Sequence, residues 1–187
     1  MNLHPVLFPV PQELVARTPE RVRVQRTAAR EALRHCARLC GVPEEGWEKN
    51  ADDVPQPQDG LYWSVSHKRH WAAAVITDHP VGIDIERIEE KRPEMFDELA
   101  GPDEWALLPA RSWPDFFRLW TAKEATLKAN GTGIAGFRSC RLTSVPDDHS
   151  LTLEYQTRPW RVEQFYHDNH IAAVTAEMDT VTWHVVE

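Results

Sequence analysis

The feature that most constrains this chain is a helix-length segment punctuated at both ends. Ser112-Trp113-Pro114 places a capping residue ahead of a proline that the first turn tolerates, and Asn130-Gly131 supplies an exit. At ~100° per residue, Phe116, Phe117, Trp120 and Leu127 fall on one apolar arc. The residues beyond, roughly 137–186, alternate in short β-rich runs such as SLTLEY, WRVEQFY, IAAVTAE and VTWHVV.

The same order occurs earlier in the chain. Thr18-Pro19-Glu20 reads as a helix start, Val22, Ala29, Leu33, Cys36 and Cys40 line one face, and Gly41 ends it. A polar, proline-rich loop covers 42–59. Leu61–Ser66 and Trp71–Thr77 read as strands joined by His67–His70, and Asp78-His79-Pro80 turns into Val81–Ile88. Short helical pieces fit 93–100 and 102–109. The order helix, strands, helix, strands predicts an α+β protein with two βαβ-like halves, 1–79 and 80–187, forming one compact unit.

A net charge of −8 over 187 residues argues against a nucleic-acid partner. No apolar run approaches the ~20 residues that span a bilayer. The N-terminus has no basic start, and Pro5, Pro9 and Pro11 interrupt its apolar stretch, unlike a secretory leader. A cytoplasmic protein without a membrane partner is expected. Cys36 and Cys40, one turn apart beside His35, fit either a metal site or a buried helix face, and the buried face is the commoner use. An odd cysteine count without CxxC gives no disulfide framework.

Chemistry begins at Val81-Gly82-Ile83-Asp84-Ile85-Glu86. In a strand Asp84 and Glu86 share one face, while Ile83 and Ile85 point to the other, into the core. Gly82 lies on the acidic face and is expected to leave room there for a ligand or ion. Two carboxylates on one face call for a cation or a proton between them, and hard oxygen ligands suit magnesium. An isolated D-x-E on an edge strand equally fits acids that meet water. The 112–131 helix shifts the balance. Glu124 projects between Trp120 and Phe117, inside the apolar arc, with Lys128 one turn on and Lys123 at the opposite border. A Glu124–Lys128 surface pair explains the spacing but not that position. A third acid and two ammonium groups at a cleft edge suit an anionic phosphate substrate with a metal. Gly131-Thr132-Gly133 permits a sharp turn after the helix, and a plain helix cap would need no more.

Val81-Gly82-Ile83-Asp84-Ile85-Glu86 followed by Phe116…Trp120-Thr121-Ala122-Lys123-Glu124-Ala125…Lys128…Gly131-Thr132-Gly133 resembles the two signature motifs of the 4′-phosphopantetheinyl transferases. Trp63-Ser64-Val65-Ser66-His67 resembles a third element of their monomeric, surfactin-synthetase-activating type. The resemblance implies a single chain of two similar α/β halves related by a pseudo-twofold axis, holding coenzyme A between them. It implies transfer of 4′-phosphopantetheine to a serine of an apo acyl or peptidyl carrier protein, with release of 3′,5′-ADP. Asp84, Glu86 and Glu124 would bind Mg2+ with the pyrophosphate. Lys128 would serve the departing 3′,5′-ADP, Lys123 would add charge near the phosphates, and Ser66 and His67 would contact the 3′-phosphate. Glu124 is the candidate base for the carrier serine.

One motif departs from the type. Its members often carry Gly-Lys-Pro before the first strand, whereas Asp53-Val54-Pro55-Gln56-Pro57 has no lysine. Arg26 and Arg30, on the polar face of the first helix, are candidates to take over the 3′-phosphate. Carrier selectivity is expected around Met95, Phe96, Leu99 and Trp105, which read equally well as core. Two rival readings remain open. One is a metal-dependent nuclease, since Asp84 with Glu89-Glu90-Lys91 resembles the acid and E-x-K spacing of restriction-type enzymes. The other is a non-catalytic relative that binds coenzyme A or a carrier.

Overall fold

The computed structural model describes residues 2–11 and 18–187. Strands β1 (Asn2–Leu3) and β2 (Val6–Pro9) precede helix α1 (Thr18–Cys40), which the hairpin β3 (Tyr62–His67) and β4 (Trp71–Thr77) follows. Strand β5 (Ile83–Arg87) leads through the short helices α2 (Met95–Leu99) and α3 (Pro102–Trp105) into helix α4 (Trp113–Asn130). A 3-10 turn over Gly133–Ser139 then enters the meander β6 (Arg141–Asp147), β7 (Ser150–Tyr155), β8 (Arg158–His167) and β9 (His170–Thr175). Two short strands, β10 (Thr180–Val181) and β11 (His184–Val185), close the chain.

The strands form a four-stranded sheet in the order β11-β2-β4-β3 and a five-stranded sheet in the order β5-β9-β8-β7-β6. The final strands return to those at the start of the chain. Strand β10 pairs with β1, and β11 pairs with β2, so the C-terminal residues join the first half.

Period-2 alternation sorts each strand's side chains between cores. In β4, Ala73 and Val75 face the layer between the sheets, while Ala72, Ala74 and Ile76 face α1. In β9, Ala172 and Val174 face the inter-sheet layer, while Ile171 and Ala173 pack in the cluster that contains α4. Alanines at the helix-facing positions let both helices approach closely. On α1 the buried face is carried by Val24, Ala28, Ala29, Ala32, Leu33, Cys36 and Ala37, and Val22 is exposed. Cys36 is buried with its thiol donating to the His4 carbonyl, and the half-buried Cys40 points its thiol at the Ile76 carbonyl, as packing residues do. The cap assigned to Thr18 rests on a side chain outside the described residues.

Helix α4 ends as its sequence indicates. Ser112 caps the start by accepting from the Asp115 amide, and Gly131 closes the helix at φ 71°. Phe96, Leu99 and Trp105 are buried against it, so this part of the expected selectivity surface is core.

Candidate active site

The acidic residues stand where the edges of the two sheets meet. The Ile83 amide donates to Ser64 Oγ at 3.1 Å, which ties β5 to β3 without a strand ladder. Gly82 is the reason α4 lies so close. A Cβ on Gly82 would stand 1.9 Å from the Ala125 carbonyl oxygen and 2.7 Å from the Ala129 amide. The room expected for a ligand is thus occupied by helix backbone, a correction to the sequence reading. The close approach has a chemical result, because it lays α4 over the acidic face of β5.

Asp84 is buried, and its Oδ1 accepts from Ser66 Oγ and from Lys128 Nζ, each at 2.7 Å. Lys128 Nζ also donates to the Ile83 carbonyl at 3.0 Å. Asp84 Oδ2 is buried without a hydrogen-bond partner. An unpaired buried carboxylate oxygen is costly unless a cation meets it. Glu86 lies two residues on, paired with Lys68 Nζ at 2.8 Å. Burial, followed by the charge of Asp84, pushes the Glu86 carboxyl up to about 7, against the pull of Lys68 and Lys128. Glu124 is raised for the same two reasons, burial first and Asp84 second. Burial alone would lower the Lys68 ammonium, but Glu86, Asp84 and Glu124 together outweigh it and hold it above the usual lysine value.

This cluster fits a divalent cation of the magnesium type. It has an unpartnered oxygen on Asp84, and burial first and the Asp84 charge second raise the Glu86 and Glu124 carboxyls, a cost that a bound cation would relieve. Among the described residues no three acidic, histidine or cysteine side chains already close around a metal. Magnesium does not demand such a cage, since it takes one or two carboxylates and fills the rest with water and substrate phosphate.

From Ser66 and Lys128 a groove of about 510 Å³ runs along β3, walled by Val54, Pro55, Tyr62 and Leu127 and ending at Gly131. A second hollow, about 680 Å³, continues it under α1 and shares Lys49, Trp63 and His67 with the first. His67 sits at the junction. Its imidazole is held below the usual histidine value by burial, then by Lys128, Lys49 and Arg26, so it is neutral at neutral pH. Of the three cations that act on it, Lys49 is paired with Asp53 at 3.2 Å, Lys128 with Asp84 at 2.7 Å, and Arg26 is exposed.

The structure divides the remaining sequence-derived candidates. Arg26 is exposed and lines the second hollow. Arg30 lines it too, but its guanidinium donates to the Trp47 carbonyl and lies 5.5 Å over the Trp63 ring, pinning the 42–59 loop. Ser66 gives its hydroxyl hydrogen to Asp84 at 2.7 Å and so supports the acid. Lys123 is corrected outright. Its side chain is 0% exposed, 2.8 Å from Glu104 Oε1 and 3.0 Å from the Leu99 carbonyl, turned away from the acids. Glu89, Glu90 and Lys91 are exposed, and Lys91 pairs with Glu89 at the surface and not with Asp84, which removes the nuclease geometry. Sequence reasoning missed Lys49, four residues before the proline-rich stretch searched for a lysine, and Lys68, beside His67.

Comparison with known proteins identifies a family. The family model of the 4′-phosphopantetheinyl transferase superfamily matches residues 80–175. The chain is 31% identical over 107 residues to 4′-phosphopantetheinyl transferase gsp of Aneurinibacillus migulanus, covering 54% of this chain and 45% of that protein. It is 35% identical over 132 residues to 4′-phosphopantetheinyl transferase HetI of Nostoc sp., covering 64% and 52%. It is 30% identical over 178 residues to enterobactin synthase component D of Salmonella typhimurium, covering 85% and 74%. The chain spans about half the length of the first curated relatives it matches. The chain belongs to the 4′-phosphopantetheinyl transferase superfamily.

Proposed function

We propose that this chain transfers 4′-phosphopantetheine from coenzyme A to the serine of an apo carrier protein, releasing 3′,5′-ADP. The observation that carries the reading is a groove whose Ser66 and Lys128 both hold Asp84, an acid that keeps a buried oxygen unpartnered. The coenzyme's nucleotide end would lie in the groove, with its 3′-phosphate near His67, Lys49 and Arg26. Lys49, paired with Asp53 at 3.2 Å, would then take the place of the missing Gly-Lys-Pro lysine. The pyrophosphate would reach Lys128 and the acids.

Asp84, Glu86 and Glu124 would hold Mg2+, which supplies charge neutralisation to the pyrophosphate when bound. Ser66 orients Asp84 by hydrogen bond. Glu124, its carboxyl raised by burial and then by Asp84, accepts the proton of the carrier serine as its oxygen bonds to the β-phosphorus. The bond from that phosphorus to the bridging oxygen breaks, and Lys128 stabilises the charge left on 3′,5′-ADP. Catalysis of this kind is mostly placement and charge.

Two similar halves, 1–79 and 80–187, related by a pseudo-twofold axis and with β10 and β11 of the second laid against the first, would provide both walls of the groove within a monomer. The support is topological: β2-α1-β3-β4 and β5-α4-β8-β9 show the same strand order, β2-β4-β3 and β5-β9-β8. A cytoplasmic setting follows from the substrates proposed. Among the described residues no helix is long and apolar enough to cross a membrane.

The test uses Asp84→Ala and Glu124→Ala variants that keep the parent's circular dichroism. Both should lose labelling of an apo carrier with coenzyme A and magnesium. A fully active Asp84→Ala protein would end the assignment.

A further inference from the structure

Lys68 has no part in the reaction described above, although it sits at the acidic cluster. It follows His67 at the end of β3, in the turn to β4, and its ammonium lies 2.8 Å from Glu86 Oε1. Its side chain is 45% exposed against 13% for Glu86, so the lysine reaches in from solvent to a carboxylate that is fixed in place. Among the described residues, Glu86 is the one carboxylate within 4.0 Å of that ammonium.

Lys128 holds Asp84 from the other side, but its anchoring differs. It grows from the long helix α4, and its ammonium is bound by the Ile83 carbonyl as well as by Asp84 Oδ1. Lys68 grows from a surface turn and borders a separate hollow of about 340 Å³ with Arg69, Glu86, Arg87 and Met95. That hollow gives its flexible stem somewhere to go. Of the oxygens a cation would meet, Asp84 Oδ2 is already without a partner, whereas Glu86 Oε1 is taken.

We propose that Lys68 is a tethered counter-ion that holds Glu86 until a divalent cation displaces it, and so sets how tightly that cation binds. The inference rests on the metal reading of Asp84, Glu86 and Glu124 given above. The metal must break an ion pair made by a half-exposed lysine, which lowers its affinity by about fivefold. Once displaced, the ammonium swings into the hollow and keeps its charge next to the cluster.

The experiment measures Mn2+ binding to the full chain by the paramagnetic resonance of free Mn2+, using the parent, Lys68→Met and Lys68→Arg. Lys68→Met should bind Mn2+ about fivefold more tightly, and Lys68→Arg should stay near the parent. Unchanged or weaker binding by a folded Lys68→Met overturns the proposal, as does the absence of Mn2+ binding in all three proteins. Carrier labelling is scored separately. Tighter binding in Lys68→Met without transfer to any carrier upholds the counter-ion role and sinks the transferase reading. Transfer with a Mn2+ affinity indifferent to Lys68 does the reverse.

Discussion

Replacing Glu86 by glutamine should stabilise the metal-free protein while disabling it. The carboxyl has an ordinary value of 4.5 and is pushed to about 7 in the folded chain, chiefly by burial and by Asp84. Its protonated form is favoured by folding, so its contribution is fully present below pH 4.5 and lost as pH rises through 7. The 2.5-unit rise (7 − 4.5), at ~1.4 kcal/mol per unit, amounts to roughly 3 kcal/mol lost at pH 8. Glu86→Gln removes the charge at nearly constant shape and should recover much of that loss. At about 2–4 °C per kcal/mol for a chain of this size, its melting temperature in EDTA at pH 8 should rise by about 5–10 °C. At pH 4.5 or below the two proteins should melt together. Added magnesium should stabilise the parent and leave the variant unmoved. A variant less stable than the parent at pH 8, or a difference that ignores pH, would refute this account of the cluster.

Other expectations concern the supports of the site. Glu104→Gln or Lys123→Met should each cost about 3–5 kcal/mol in urea unfolding by stranding one member of a buried pair, and the Glu104→Met/Lys123→Met double variant should cost less than the sum. Gly82→Ala should cost at least the ~1–3 kcal/mol of core overpacking, since the Ala125 carbonyl that meets the new methyl is backbone and has nowhere to move; urea or thermal unfolding checks this. Lys49→Ala and Arg26→Ala should each raise KM for coenzyme A about five- to tenfold with kcat retained, and neither should change kinetics with dephospho-coenzyme A, which lacks the 3′-phosphate.

The parity argument at Asp84 and Glu86 was sound because period-2 alternation depends on the strand alone. The same parity placed Gly82 on the acidic face, but the sequence could not say what covers that face. An empty position next to two acids reads as room for an ion, until the Ala125 carbonyl of a helix 43 positions later is found against it. Helical periodicity likewise located Glu124 and Lys128 and failed on the neighbouring Lys123. A wheel gives angles around one helix, whereas the fate of a lysine at the arc's border depends on whether another element offers it an acid. Glu104 does so, from a four-residue helix whose own sequence gives no sign of that partner. Lys49 and Lys68 lay close to motifs already singled out, yet only the folded loop and turn bring their ammonium groups to the groove and to Glu86. The strand order escaped for a related reason, since β11 joins β2 across nearly the whole chain.

The transferase reading is tested most directly by weighing an apo carrier protein after incubation with this chain, coenzyme A and magnesium. The carrier should gain the mass of one phosphopantetheine on its serine, with one 3′,5′-ADP released per carrier modified and no gain in EDTA. No mass gain across fatty-acid, polyketide and peptide carriers, with the chain folded and coenzyme A bound, would contradict it.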